Sequence, residues 1–231
     1  MIVGNLYSLK GRHEEAIFEF EKATRLDPRN SAALILLGHE YLEVKNLSAS
    51  IRAYREATDV DEGEYRAWFG LAQAYLTLHQ PLFALYYSDR ACKLRPYDPR
   101  MWCSLAQCFE FVGEAESAIR AYSRAFSNDP KNVPATKALA RLFSEKSRNV
   151  RAAAFFQSIY VESGGDDIVP TLLFLASHHI SQGQLIESEA CCNKILEFGN
   201  GQDRAQAKLI LQSITKIKAS SSSSSSSLGS H

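Results

Sequence analysis

The sequence predicts an all-α fold: a right-handed superhelix of stacked helix pairs, an α-solenoid, closed by a C-terminal capping helix. Three observations predict it. The stretch "YRAWFGLAQAY" at 65–75 returns as "PRMWCSLAQCF" at 99–109, 34 residues later, and self-similarity at a period of this length marks an array of helix–turn–helix units. Small and aromatic residues recur in the same phase on both sides of these two stretches. Pro28, Pro96 and Pro130 stand at the same point of their units, where a chain leaves a helix.

Taken in order, residues 1–30 form a partial first unit in which Gly4, Tyr7, Ala16, Phe20, Ala23 and Pro28 hold the phase. Unit 31–64 supplies Leu34, Leu37, Gly38, Tyr41, Ser50, Tyr54 and Ala57. Unit 65–98 supplies Trp68, Leu71, Ala72, Tyr75, Ala84, Ser88, Ala91 and Pro96. Unit 99–132 supplies Trp102, Leu105, Ala106, Phe109, Ala118, Tyr122, Ala125 and Pro130. This order resembles the tetratricopeptide repeat. In that pattern Gly38, Ala72 and Ala106 mark the close crossing of helices A and B, where nothing bulky fits. Trp68 and Trp102 are expected to fill the wider gap to a neighbouring helix. Tyr41, Tyr75 and Phe109 complete the packing set. The second unit closes without Pro, and Gly63 is expected to make that turn.

Two divergent units follow, at 133–160 and 169–200. The irregular segment 161–168, with Gly164–Gly165 read as a plain turn, slips the phase by two residues. Residues 202–218 read as an amphipathic capping helix, which a stacked array needs to cover its last apolar face. Residues 219–231, with their serine run, are expected to be a disordered tail. The first unit lacks the front of its helix A, so the chain reads as a piece of a longer protein.

Composition narrows function. Lys+Arg and Asp+Glu are equal at 26 each, which speaks against a nucleic-acid partner held by bulk charge. No apolar run is long enough to cross a membrane, and no signal-peptide pattern opens the chain. Five cysteines at irregular spacing fit neither a disulfide framework nor a metal ribbon and suggest a reducing compartment. Catalytic readings fail on geometry. Glu14–Glu15 and Asp166–Asp167 are adjacent pairs, and helix neighbours do not face each other. His39–Glu40–Tyr41 is not a zinc-protease motif, because residue 43 is Glu. His178, His179, Cys191 and Cys192 read as core packing, with His179 against Cys192, and no metal or cofactor is expected.

A superhelix of such units would turn its helix-A side into a concave face. Positions not used for packing would line it: Ala32, Ile35, Leu36, His39 and Glu43, then Arg66, Phe69, Gln73, Leu76 and Thr77, then Arg100, Cys103, Ser104, Gln107 and Glu110, and finally Lys137, Arg141 and Glu145. Apolar anchors among fixed polar groups suit an extended peptide. The groove candidates are Leu36, His39, Glu43, Arg66, Phe69, Gln73, Gln107 and Glu110. A second reading is a generic adaptor or co-chaperone gripping a peptide C-terminus. Arg66, Arg100 and Arg141 would supply its charge, but the Asn partners such a clamp needs are not on the same face.

The words "VGNLYSL" at 3–9, "LGHEYLEVKN" at 37–46, "AYREA" at 53–57, "ALYYSDRACKLRPYDPRMW" at 84–102 and "LASHHISQGQLIESEACCNKILEF" at 175–198 closely resemble the C-terminal repeats of the subunit-eight family of the anaphase-promoting complex. The resemblance covers about 3–215. It implies a non-catalytic scaffold in a large cell-cycle ubiquitin ligase, in the nucleus and cytoplasm. Its implied partners are neighbouring repeat subunits and activator proteins, whose arginine-bearing N-terminal peptide would enter the groove. Glu43 and Glu110 are the acidic candidates for that peptide. Leu76 stands where the family often has an acidic residue. The family dimerises through N-terminal repeats that have no counterpart here, so homodimerisation is not expected.

Overall fold

The computed structural model describes residues 1–162 and 168–226, and among these it contains thirteen helices and no strand. They group into two compact units divided between Asn132 and Val133. The first holds α1 (Ile2–Leu9), α2 (His13–Leu26), α3 (Ser31–Glu43), α4 (Leu47–Val60), α5 (Tyr65–Thr77), α6 (Pro81–Leu94), α7 (Pro99–Val112) and α8 (Ala115–Asn128). The second holds α9 (Val133–Glu145), α10 (Asn149–Glu162), α11 (Ile168–Ser181), α12 (Leu185–Phe198) and α13 (Gly201–Ser226). Helices α3, α5, α7 and α9 start 34 residues apart, and so do α2, α4, α6, α8 and α10. The start of α12 lies 36 residues after that of α10. The expected break at 161–168, with Gly164–Gly165 and Asp166–Asp167, falls mostly outside the described residues.

Local chemistry repeats with the same period. Side chains of Asn30, Glu64 and Asp98 accept from backbone N–H groups of the first turns of α3, α5 and α7, satisfying donors that a helix start leaves orphaned. The turn from helix A to helix B always passes through the left-handed region: Gly11, Lys45, His79, Gly113, Ser147 and Gly183 all have φ between 55° and 88°. After helix B, Asp27, Asp61 and Asp129 each accept from the backbone N–H two residues on. This corrects the expectation for Gly63. Asp61 closes that turn, accepting from Gly63 N at 2.9 Å, and Gly63 is not among the residues of positive φ. Pro28, Pro96 and Pro130 directly follow the C-caps Asp27, Arg95 and Asp129.

The core of the first unit is threaded by Tyr54, which is fully buried. A methyl group on Gly38 would meet its ring at 2.7 Å, and one on Gly70 would meet it at 2.3 Å. Gly38 belongs to the same repeat as Tyr54 and Gly70 to the next, so one ring locks two repeats. One repeat later the bulky residue is replaced by Ser88, and the position facing it is Ser104, 3.1 Å away. Ala72 and Ala106 are fully buried. Tyr41 donates to Glu21 Oε1 at 2.6 Å, and Tyr75 accepts from Arg55 at 2.7 Å. These bonds tie helix A of one repeat to helix B of the repeat before it. Phe109 is half-buried against Ala91, Cys92, Met101 and Leu105.

Trp68 and Trp102 are both half-buried, and each meets the neighbouring helix B, Trp68 through Tyr87 and Arg90 and Trp102 through Arg124. Both also pack against the cluster of Ala91, Cys92, Met101 and Leu105. Each indole N–H is spent on a backbone carbonyl, so part of each ring stays at the surface.

In the second unit Leu139, Ala140 and Ala152 are buried, and Phe156 meets Phe174 at 4.4 Å. Cys192 lies among Leu172, Ala176, Ile195 and Ala207, whereas His179 is bonded through Nδ1 to Gln184 at 2.7 Å. The last helix covers α11 and α12 through Ala207, Ile210 and Leu211, and Lys218 pairs with Glu189 at 2.6 Å. It runs on to Ser226, beyond the expected boundary at 218. No Gly or Pro interrupts 202–226, and serine is an intermediate helix former. Residues 227–231 of the expected tail lie outside the described residues.

Two substitutions test this packing by urea unfolding of the whole chain. Gly70→Ala should destabilise by about 1–3 kcal/mol, because the buried Tyr54 ring has nowhere to move. Lys45→Gly should stabilise by about 0.5–1 kcal/mol, since it relieves a left-handed residue whose side chain is exposed.

Candidate functional site

Helices α3, α5 and α7 pack side by side in the first unit. Their shared face collects His39 and Glu43, then Arg66, Phe69 and Gln73, then Gln107 and Glu110. Gln73 Nε2 donates to Ser104 Oγ at 3.1 Å and so stitches α5 to α7. His39 Nδ1 shares a 2.7 Å hydrogen bond with Tyr54 Oη, and the two rings meet edge to face. Burial depresses the His39 pKa, and the nearby Arg66 charge adds to this, while Glu40 and Glu43 oppose it. Burial raises the Tyr54 pKa, so its hydroxyl stays protonated. Below the face, burial pushes the Cys103 thiol up to about 11 and Cys92 up to about 12, so both are neutral packing groups.

Arginine on this face is already spoken for. Arg66 is held by both oxygens of Glu64, at 2.9 and 2.7 Å. Arg100 is held in the same way by Asp98, at 3.1 and 2.7 Å. Both carboxylates also cap the helices that the arginines begin. In the second unit Arg141 pairs with Glu145 at 3.0 Å. The acidic candidates differ from each other. Glu43 is exposed on α3. Glu110 is half-buried on α7 and accepts from Tyr122 Oη at 2.7 Å. Helix α5 stands between them, so the two carboxylates serve separate positions along the face.

Several expected lining residues are not available. Ile35, Cys103 and Ser104 are buried, and Leu76 packs with Ala84 and Cys108 in the core. Position 76 is therefore part of the core and not of the open face. An acidic group there would sit in the apolar interior, which is costly. Leu36 and Phe69 are half-buried and partly engaged with the cores beneath them. Gln107 is exposed.

Two residues escaped the sequence reading. Phe111 is 58% exposed and, with Gln107 and Glu110, lines a hollow of about 250 Å³. It lies one residue past the last pattern position, and an aromatic at the open end of a helix is the signal that marks it. Glu40 is only 4% exposed and meets His13 Nδ1 at 2.8 Å. The 34-residue register puts Glu40 where the next repeats have Ala74 and Cys108, so a charge in an otherwise apolar column was visible in the alignment of the repeats.

A tetratricopeptide-repeat profile matches residues 1–131, and a second matches 103–167. The chain belongs to the tetratricopeptide-repeat family. It is 43% identical over 228 residues to anaphase-promoting complex subunit 8 of Dictyostelium discoideum, a match covering 96% of this chain and 38% of that protein. It is 36% identical over 220 residues to anaphase-promoting complex subunit 8 of Arabidopsis thaliana, covering 92% of this chain and 38% of that one. The chain thus spans well under half the length of these relatives. Among solved structures, pilF of Pseudomonas aeruginosa superposes with a TM-score of 0.74 at 14% identity, covering 90% of this chain and 94% of that one, which shows a shared fold.

The buried imidazole makes a prediction about acid. Above its ordinary pKa of 6.5, His39 is neutral in both the folded and the unfolded chain. Below it, the unfolded chain takes up a proton that the folded site resists, so stability falls as pH drops. Urea midpoints measured between pH 7.5 and 5 should fall less steeply in His39→Gln than in the parent chain.

Proposed function

We propose that this chain is a non-enzymatic scaffold segment of an anaphase-promoting-complex-type ubiquitin ligase. It would hold neighbouring repeat subunits and receive an arginine-bearing activator peptide on the face of α3, α5 and α7. The observation that carries the scaffold reading is similarity to subunit 8 proteins of two distant organisms along nearly the whole chain. The charge distribution supports the peptide reading. Arg66 and Arg100 are neutralised by their own helix caps, while Glu43 and Glu110 are spaced along the same face. An incoming guanidinium would meet carboxylates, with Phe111 and the half-buried Phe69 offering apolar contact. The same cap pairing weakens the reading as an adaptor for a peptide C-terminus, because a carboxylate would have to displace Glu64 or Asp98.

Fluorescence anisotropy with a labelled, arginine-containing activator peptide tests the assignment. Glu43→Gln and Glu110→Gln should each weaken binding by about three- to tenfold, as loss of a charge-assisted hydrogen bond does. Glu19→Gln, on the outer helix α2, should leave it unchanged. Equal affinity in all variants would remove Glu43 and Glu110 from the binding role.

A further inference from the structure

We propose that the first unit carries a second docking surface, formed by two tryptophan–arginine pairs that receive acidic side chains of an extended segment from a partner protein. The pairs are Trp68 with Arg90 and Trp102 with Arg124. The guanidinium carbons lie 5.5 and 6.0 Å from the indole centres. Both pairs use the same construction one repeat apart. Trp68 Nε1 donates to Glu62 O at 2.9 Å, and Trp102 Nε1 donates to Pro96 O at 2.7 Å. The carbonyl holds each ring, and both arginines beside the rings are exposed to solvent.

The contrast with the other face decides the ligand. Arg66 and Arg100 are locked bidentately to the cap carboxylates two residues before them. Arg90 and Arg124 lie near indole rings instead, and neither reaches a carboxylate among the described residues. An exposed guanidinium with no carboxylate of its own keeps its N–H fork available, and that fork matches a carboxylate. Beside the first pair is a hollow of about 270 Å³ lined by Glu62, Gly63, Trp68, Arg90, Lys93 and Leu94. Lys93 is already paired with Asp89 at 2.6 Å, so Arg90 is the cation left to an incoming group. Trp68 and Leu94 suit the methylenes of a glutamate. Glu62 on the rim, together with a chain of zero net charge, disfavours a continuous phosphate backbone. Stacked aromatic and cationic groups also suit single-stranded nucleic acid in general, which makes that ligand the competing outcome.

The chain has two tryptophans in all, both in this surface, so the two indole N–H signals in a ¹⁵N–¹H spectrum report on it directly. The whole chain is titrated with a short peptide of alternating glutamate and serine, with its glutamine–serine counterpart, and with oligothymidylate. Both indole signals should move with the acidic peptide and stay with the glutamine peptide. Arg90→Gln should abolish the Trp68 shift and Arg124→Gln the Trp102 shift, each weakening affinity by about threefold or more. Glu43→Gln, on the other face, should leave the titration unchanged. The backbone amide spectrum verifies that each variant is folded. Indoles that do not respond, that respond equally to the glutamine peptide, that respond more strongly to oligothymidylate, or that still respond in both arginine variants would overturn the proposal.

Discussion

The wedge of Tyr54 between Gly38 and Gly70 is the constraint on which the first unit depends. The ring is fully buried, and both glycines approach it more closely than any side-chain carbon could. Its hydroxyl emerges beneath the face of α3, α5 and α7 and holds His39. One residue therefore sets the crossing of α3 and α4, the seam to the next repeat and the orientation of a side chain at the candidate site. A repeat array has only neighbour contacts to draw on, so a residue that touches two repeats couples them more than any helix propensity can.

The seams are not identical copies. The residue two before the close-crossing position and the facing residue of the preceding helix B vary together, as Tyr54 with Gly70 and as Ser88 with Ser104. The ties between repeats vary in the same manner. Tyr41 donates to a carboxylate in one repeat, and Tyr75 accepts from a guanidinium in the next. In the following repeat the aromatic is Phe109, and the equivalent position on helix B is Asp89, which pairs with Lys93 instead. Such differences fix the order of repeats that are alike in backbone. A repeat inserted in the wrong place would leave a void or an unpaired polar group.

Charge is arranged by the same economy. The cap residues Glu64 and Asp98 satisfy backbone donors and hold Arg66 and Arg100, so positive charge on the inner helices is cancelled locally. On the helix-B side, Arg90 and Arg124 lie near tryptophan and not near a carboxylate. The net charge is zero, yet the two surfaces offer different chemistry to a partner. One carries carboxylates on helices whose arginines are neutralised, and the other exposes guanidiniums.

The sequence by itself determined the helix pairs, their period, the glycine and alanine crossings and the prolines that follow helix B. Each of these follows from a local rule, 3.6-residue periodicity or the steric limits of small residues and proline, that a single unit already displays. It also marked Leu36, His39, Glu43, Arg66, Phe69, Gln73, Gln107 and Glu110 as groove candidates, because they are positions left over from packing. What each side chain touches across a seam was decided only by the tertiary structure. Ile35, Leu76 and Cys103 occupy positions left over from the packing pattern, yet all three are buried. The tryptophans pack on the core, and their N–H groups reach backbone carbonyls that the repeat pattern does not specify. Glu40 is buried because helix α2 brings His13 to it. Burial is set by neighbours that lie far along the chain, and a 34-residue pattern specifies that a neighbour exists without specifying which atoms it presents.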